Sequence, residues 1–229
     1  MCILFTISFI LRLISLESYK GDMYTFIKLL LPGVSNRIYN INSKNLIKIY
    51  SKIFNTDLDE MSDHLNKGDV SETCKHFFAR SKRIQPSRES TLSIQEIDKY
   101  LDRLTEVTKE NDQYKLLEKI TKKLTKKDLR TFIRLIKKDL RIDAGTKLIL
   151  DSVADKAYEA FQISRNLEDV VKRSQKLAKE NEANLRAGKP ALKKDLSIKL
   201  NLMTPVKPML ADACKSAEQA FNKCKNRII

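Results

Sequence analysis

The sequence predicts an all-α protein, and three observations support this prediction. Of the 229 residues only 5 are Gly and 5 are Pro, so few positions would interrupt a helix. Leu, Ile, Lys and Glu are abundant, and most of these residues favour helices. Apolar residues recur at helical spacing, with helix-capping residues between the apolar segments. We therefore expect a multi-helix domain with a sizeable core.

The first 16 residues are strongly apolar, and Arg12 is their only charge. They lack the basic start and the small-residue cleavage site of a signal peptide. They are also shorter than the roughly 20 apolar residues that span a membrane. The remaining interpretations are a helix buried in the bundle, an artefact of the gene model, or an organelle-targeting segment. We expect no membrane partner.

From residue 20 onward, helix follows helix. The predicted helices and their capping residues are 23–31 ending at Pro32-Gly33, one capped by Ser43 and running to Phe54, 70–81 with Asp69 and Glu72, 94–107 with the capping box Ser93 and Glu96, 125–142 with the box Thr125 and Asp128, 146–153, and 167–180 capped by Asn166.

The last part of the chain changes character. Residues 181–196 are polar around Gly188-Lys189-Pro190, as in a linker. Alternating apolar residues predict a short strand at 197–203, and 211–225 predict a final helix. The expected division is an apolar segment 1–19, a helical domain 20–180, a linker 181–196 and the start of a second domain at 197–229.

The formal net charge of +15 is unevenly distributed. Residues 115–150 hold 12 Lys and Arg against 4 Asp and Glu, a net charge of +8 and more than half of the total excess. A basic proteome would spread its charge more evenly, and a solvated helix face would mix both signs. A charge excess of this size suits a phosphate backbone, an anionic membrane or an acidic protein, and the clustering favours phosphate binding.

The helix predicted at 125–142 separates apolar from basic residues. Its apolar positions include Leu129, Phe132 and Ile136. The adjoining arc, about 100° wide, is almost purely cationic. The candidate phosphate-binding residues on it are Lys127, Arg130, Arg134, Lys137, Lys138 and Arg141.

Two glycine corners add candidates. Asp143 to Lys147 predicts a tight turn into a helix, where free backbone N–H groups can bind phosphate. Gly145 would allow close approach, with Thr146 and Lys147 adding a hydroxyl and a charge. Gly68 stands before another helix start, although Asp69 would compete there with a phosphate. An ordinary structural turn is the alternative at the Gly145 corner.

No catalytic or metal site is predicted. The four cysteines lack C-x-x-C spacing, and the two histidines, His64 and His76, fit structural roles better than catalytic ones. Neither a phosphate-binding loop nor a hydrolase motif occurs, and K-x-D-G is absent because no Gly follows an Asp.

Several segments, in order, resemble ATP-dependent DNA ligases, in particular the DNA ligase III type. They are FIKLLLPGVSNRIYN (26–40), LIKIYSKIFN (46–55), KGDVSETCKHFF (67–78), LSIQEIDKYLDRLT (92–105), FIRLIKKDLRIDAGTK (132–147), AYEAFQISRNLEDVV (157–171) and LMTPVKPMLADACKSAEQA (202–220). The resemblance begins near Lys20 and implies an all-helical DNA-binding domain followed by the first strand and helix of an adenylation domain. The K-x-D-G lysine that accepts AMP in the family would follow this segment.

The resemblance implies a role in gripping nicked duplex DNA for nick sealing in repair, replication and recombination. It assigns phosphate contacts to Gly145, Thr146 and Lys147, and less strongly to Gly68. ATP and Mg²⁺ would serve only the full-length enzyme, and this chain alone is expected to be inactive and monomeric. A repair-scaffold partner and a nuclear or mitochondrial location are further expectations. A helical scaffold that binds an acidic protein, and an intact ligase, are the alternatives.

Overall fold

The computed structural model describes residues 21–142 and 144–187, with the isolated positions 196, 216 and 218. These residues form ten helices and no strand. The helices are α1 Met23–Leu30, α2 Ser43–Phe54, α3 Leu58–Asn66, α4 Val70–Arg80, α5 Ile94–Glu106, α6 Glu110–Thr121, α7 Lys126–Lys137, α8 Thr146–Val153, α9 Ala157–Ser164 and α10 Leu167–Arg186. The predicted all-α class is confirmed.

Most predicted helix starts agree with the structure. The capping boxes of Ser93 with Glu96 and of Thr125 with Asp128 both form, and the Asn166 side chain accepts from the Asp169 N–H. Two predicted caps are wrong. Asn42, rather than Ser43, caps α2, and Ser43 is its first helical residue. Asp69 stands at the N-cap of α4 but makes no capping hydrogen bond.

Two predicted helix ends are also wrong. α7 stops at Lys137, because Lys138 adopts the left-handed conformation and its N–H bonds back to the carbonyls of Arg134 and Leu135. Lys138 and Arg141 therefore lie in a loop rather than on the helix. α10 continues past the predicted end at residue 180 to Arg186, into the segment predicted as a linker.

The helices bury two hydrophobic clusters. The larger cluster is formed by the six helices from α2 through α7 and centres on Tyr50, Phe54 and Phe78. The smaller one joins α1 to α8, α9 and α10 around Ile27 and Leu150. Helices α2–α7 thus form the larger cluster, and the last three helices, α8–α10, pack against the first helix, α1.

Charged residues join the two clusters where α1 approaches α5. Lys28 of α1 donates to Asp98 at 2.8 Å. Arg37, in the loop after α1, is only 8% exposed and bonds to Asp98 and, at 2.6 Å, to Asp102. Both carboxylates belong to α5, so these ion pairs hold α1 against the larger cluster.

The remaining predictions concern other parts of the chain. The segment 1–19, the strand at 197–203 and, apart from positions 216 and 218, the helix at 211–225 lie outside the described residues. Within the described part, no helix is both long and apolar enough to cross a bilayer.

Candidate nucleic-acid interface

The cationic helix α7 packs against α4, and the two helices run antiparallel. Arg134, near the end of α7, lies 3.8 Å from Asp69 at the start of α4. At the other end, Lys126 of α7 lines one cleft with Arg80 of α4. Leu129, Phe132 and Ile133 of α7 are buried beneath this contact, as the apolar pattern predicted.

Two of the predicted cations face α4 rather than open solvent. Arg130 donates to Glu72 at 3.0 Å, and the structure leaves it about one third exposed. Arg134 donates to Ser71 at 3.1 Å and to Glu72 at 3.5 Å. Their charges are therefore compensated within the molecule, because the first turn of α4 supplies acidic and hydroxyl partners.

Glu72 is the acidic centre of this helix contact. Partial burial raises the pKa of its carboxyl, but hydrogen bonds from Lys75 and Arg130 outweigh burial and hold the pKa below its usual value. Glu72 is thus ionised at neutral pH and remains paired with Lys75 and Arg130.

The Gly68 corner forms a cleft with the end of α7. This cleft of about 310 Å³ is lined by Gly68, Asp69, Arg134, Lys137 and Arg141, among others. Asp69 accepts from Ser71 and lies 3.6 Å from Arg141. Asp69 thus lies in the Gly68 cleft beside Arg134 and Arg141, and its competition with a phosphate stays a prediction.

The Gly145 corner forms a second cleft, of about 440 Å³, against the end of α1. Gly33, Lys138, Arg141, Gly145 and Thr146 are among its lining residues. Gly145 is the N-cap of α8, and no side chain caps this helix. Its backbone angles, φ −71° and ψ 160°, are open to any residue, so the backbone conformation does not require a glycine here.

Arg141 lines both clefts, so the loop of residues 138–142 stands between the two glycine corners. Around this loop, Lys137 and Lys147 are exposed, and Lys138 reaches the Ser35 carbonyl at 3.4 Å. Lys127 is also exposed but lies at the other end of α7, about 15 Å from Lys137 along the helix axis. Of the predicted residues, all but Lys127, Arg130 and Lys147 therefore line one of the two clefts, and Lys147 directly follows Thr146 in the chain.

The turn after α1, residues 32–34, lines the Gly145 cleft and was missed as part of this surface. No local sequence pattern connects it with residues more than 100 positions later. The rings of the two histidines pack 4.8 Å apart, and within the described residues no three or more potential metal ligands are grouped closely enough to hold an ion.

Comparison with known proteins assigns the family. Residues 6–154, well over half of the chain, match the family described as DNA ligase N terminus. The chain carries the N-terminal domain of an ATP-dependent DNA ligase. The family match begins at residue 6. It therefore includes most of the apolar segment 1–19, whereas the resemblance seen in the sequence segments begins only near Lys20.

Three curated relatives of this ligase domain are viral and protist proteins. It is 42% identical to the DNA ligase of fowlpox virus over 95% of this chain and 37% of the relative. It is 39% identical to the DNA ligase of vaccinia virus, strain Copenhagen, over 89% of this chain and 34% of the relative. Identity to DNA ligase 3 of Dictyostelium discoideum is 39%, over 69% of this chain and 13% of the relative. The chain thus spans about a third of the two viral ligases.

Proposed function

We propose that this chain is the DNA-binding portion of a DNA ligase and that it grips nicked duplex DNA for nick sealing in repair, replication and recombination. The observation that carries the proposal is the pair of clefts around residues 138–142. Exposed Lys137, Arg141 and Lys147 surround two helix starts that lack side-chain caps. Backbone N–H groups and the cations Lys137 and Lys147 suit phosphate oxygens in this arrangement, while Arg141 is shared with Asp69 and Asp139.

The proposed contacts are to phosphates, so binding should tolerate any sequence and weaken with salt. Among the residues that the structure describes, none that lines either cleft is aromatic. This favours the sugar-phosphate backbone of a duplex over the splayed bases of a single strand, which proteins usually stack on aromatic side chains. A contact across the minor groove is the expectation from the family resemblance.

ATP and Mg²⁺ are proposed only for the full-length enzyme, in which a lysine accepts AMP and passes it to the 5′-phosphate of the nick. K-x-D-G does not occur in these 229 residues. We therefore assign to this chain the holding and positioning of the duplex. Its monomeric state, any repair-scaffold partner and its compartment stay predictions.

The test is binding of a nicked duplex by the whole chain and by Lys137→Gln/Lys147→Gln, at several salt concentrations. The double variant should lower affinity alike on unrelated sequences, and its salt slope should be shallower by about two. Lys179→Gln, on α10, is the control and should change neither quantity.

A competition experiment separates the proposal from the alternative of a scaffold for an acidic protein. A nicked duplex should displace a labelled nicked duplex far better than polyglutamate of equal charge. If polyglutamate competes equally well, the basic surface serves an acidic protein and the DNA-binding proposal fails.

A further inference from the structure

A second cluster of free cations lies at the opposite end of α7, and we call it the amino-end patch. It consists of Arg80, Arg88, Lys126 and Lys127, all exposed and without an ion-pair partner among the described residues. Two adjoining clefts, which share Lys75, Ala79 and Lys126, connect these side chains. The larger cleft has a volume of about 870 Å³ and also contains Ser87 and Ser90.

The acidic groups near the amino-end patch are already engaged. Asp128 accepts from the backbone N–H and the hydroxyl of Thr125 in the capping box. Glu72 is paired with Lys75 and Arg130. Because the capping donors are uncharged, Asp128 keeps its negative charge in the larger cleft, but the four cations outnumber it.

The patch does not stabilise its own helix. Lys126 and Lys127 occupy the first two positions of α7, where the helix dipole presents its positive end and disfavours cations. Their charges and the dipole add to one positive potential at this end of α7. Such a potential favours an anionic ligand.

The patch and the glycine-corner clefts lie along one side of α7. Lys126 and Lys137 are eleven residues apart, which places them about 20° apart around the helix and about 16 Å apart along it. Arg130 stands between them, compensated by Glu72. Along this side of α7, the neutral pair of Arg130 and Glu72 therefore separates the cations of the amino-end patch from Lys137.

We infer that the amino-end patch is a second phosphate-binding surface, which contacts the backbone of the same duplex about five base pairs from the phosphates held at the glycine corners. The spacing follows from 3.4 Å per base pair along B-DNA. The inference rests on the proposed function, because it needs a duplex already seated on the clefts around residues 138–142. Arg80, Arg88 and Lys126 were not among the residues predicted from sequence.

The first experiment uses the whole chain and a nicked duplex of roughly 30 base pairs, which extends beyond both surfaces. Lys126→Gln/Lys127→Gln should make the salt slope shallower by about two. The matched control, Lys176→Gln/Lys179→Gln, removes two exposed lysines from α10 and should leave the slope unchanged. Arg88→Gln, in a loop, should lower the slope by about one and does not depend on the integrity of α7.

The second experiment locates the contact. Single phosphates of the duplex are replaced by uncharged methylphosphonates, one position at a time. One methylphosphonate position should lose its effect on binding in Lys147→Gln. A methylphosphonate about five base pairs from that position should weaken binding of the unaltered chain but not of Lys126→Gln/Lys127→Gln.

The outcomes separate this inference from the proposed function. If Lys137→Gln/Lys147→Gln weakens binding while the amino-end variants leave affinity and slope unchanged, the second surface is overturned and the first stands. If polyglutamate binds the amino-end patch and DNA does not, its partner is an acidic protein. If neither pair of substitutions matters, the proposed function itself is wrong.

Discussion

Gly145 stands at the N-cap of α8, and apart from Gly145 itself and its two chain neighbours no described heavy atom lies within 4 Å of the position that a Cβ would take. Gly145→Ala should therefore fold normally. The lower preference for Ala at an N-cap costs up to about 1 kcal/mol, and the stiffer unfolded chain offsets a similar amount. The added methyl group would, however, separate the backbone from a bound phosphate.

We predict that Gly145→Ala weakens binding of nicked DNA about tenfold, the cost of roughly one hydrogen bond to a charged group. The free energy of unfolding should change by less than about 1 kcal/mol. Fluorescence anisotropy and urea denaturation of the same samples would measure both. Gly21→Ala, before α1, is the control. Full affinity in Gly145→Ala would make this corner a structural turn only.

Asp69 limits the positive charge of the Gly68 cleft, since it lies within 4 Å of both Arg134 and Arg141. We predict that Asp69→Asn tightens DNA binding about threefold, because a carboxylate about 7 Å from a phosphate repels it by about 0.6 kcal/mol in water. Asn remains a good N-cap residue, so helix content should persist. A titration at low salt measures the gain, and weaker binding would show that Asp69 positions the arginines instead.

At the scale of the helix, α7 depends on its capping box as well as on its buried face. The Thr125 hydroxyl accepts from the Asp128 N–H at 3.2 Å, and the Asp128 carboxylate accepts in return from the Thr125 N–H. α5 begins with the same arrangement of Ser93 and Glu96.

We predict that Thr125→Ala lowers the free energy of unfolding by about 1 kcal/mol, because one helical N–H loses its acceptor. Ser93→Ala, the equivalent change in α5, should cost about as much. Urea denaturation measures both. An unchanged midpoint in Thr125→Ala would show that packing of Leu129 and Phe132 alone sets the start of α7.

At the scale of the whole molecule, Arg37 connects the two hydrophobic clusters. Burial lowers the pKa of its guanidinium, but hydrogen bonds to Asp98 and Asp102 outweigh burial and raise the pKa. The charge is thus retained at every pH at which the protein folds, and it neutralises two carboxylates on α5.

We predict that Arg37→Ala destabilises the protein by about 3 kcal/mol, because Asp98, only 14% exposed, would lose its closest partner. Hydrogen exchange should then show α1 and α8–α10 opening before α2–α7. Lys172→Ala, which breaks a solvent-exposed pair with Glu168, should leave the free energy of unfolding nearly unchanged. Equal costs for the two substitutions would contradict the connecting role of Arg37.

The fold class and most helix starts could be predicted from sequence patterns, because both depend on residues that are neighbours in the chain. The capping boxes at Ser93 and Thr125 need residues only three positions apart, and the buried face of α7 needs only its period. The predicted end of α7 at residue 142 was wrong, because the basic and apolar pattern continues through Arg141 while the backbone turns at Lys138. Periodicity does not show such a turn when no Gly or Pro marks it.

The sequence by itself determined the helical class, the excess of positive charge in residues 115–150 and the two glycine corners, since each is local in the chain. Only the tertiary structure decided which cations are free. Arg130 and Arg134 meet partners on α4, about 60 residues earlier, while Lys126, Lys127, Lys137 and Lys147 remain exposed. The physical reason is that ion pairing depends on distances of a few ångströms between helices, and these distances are set by packing of the apolar faces.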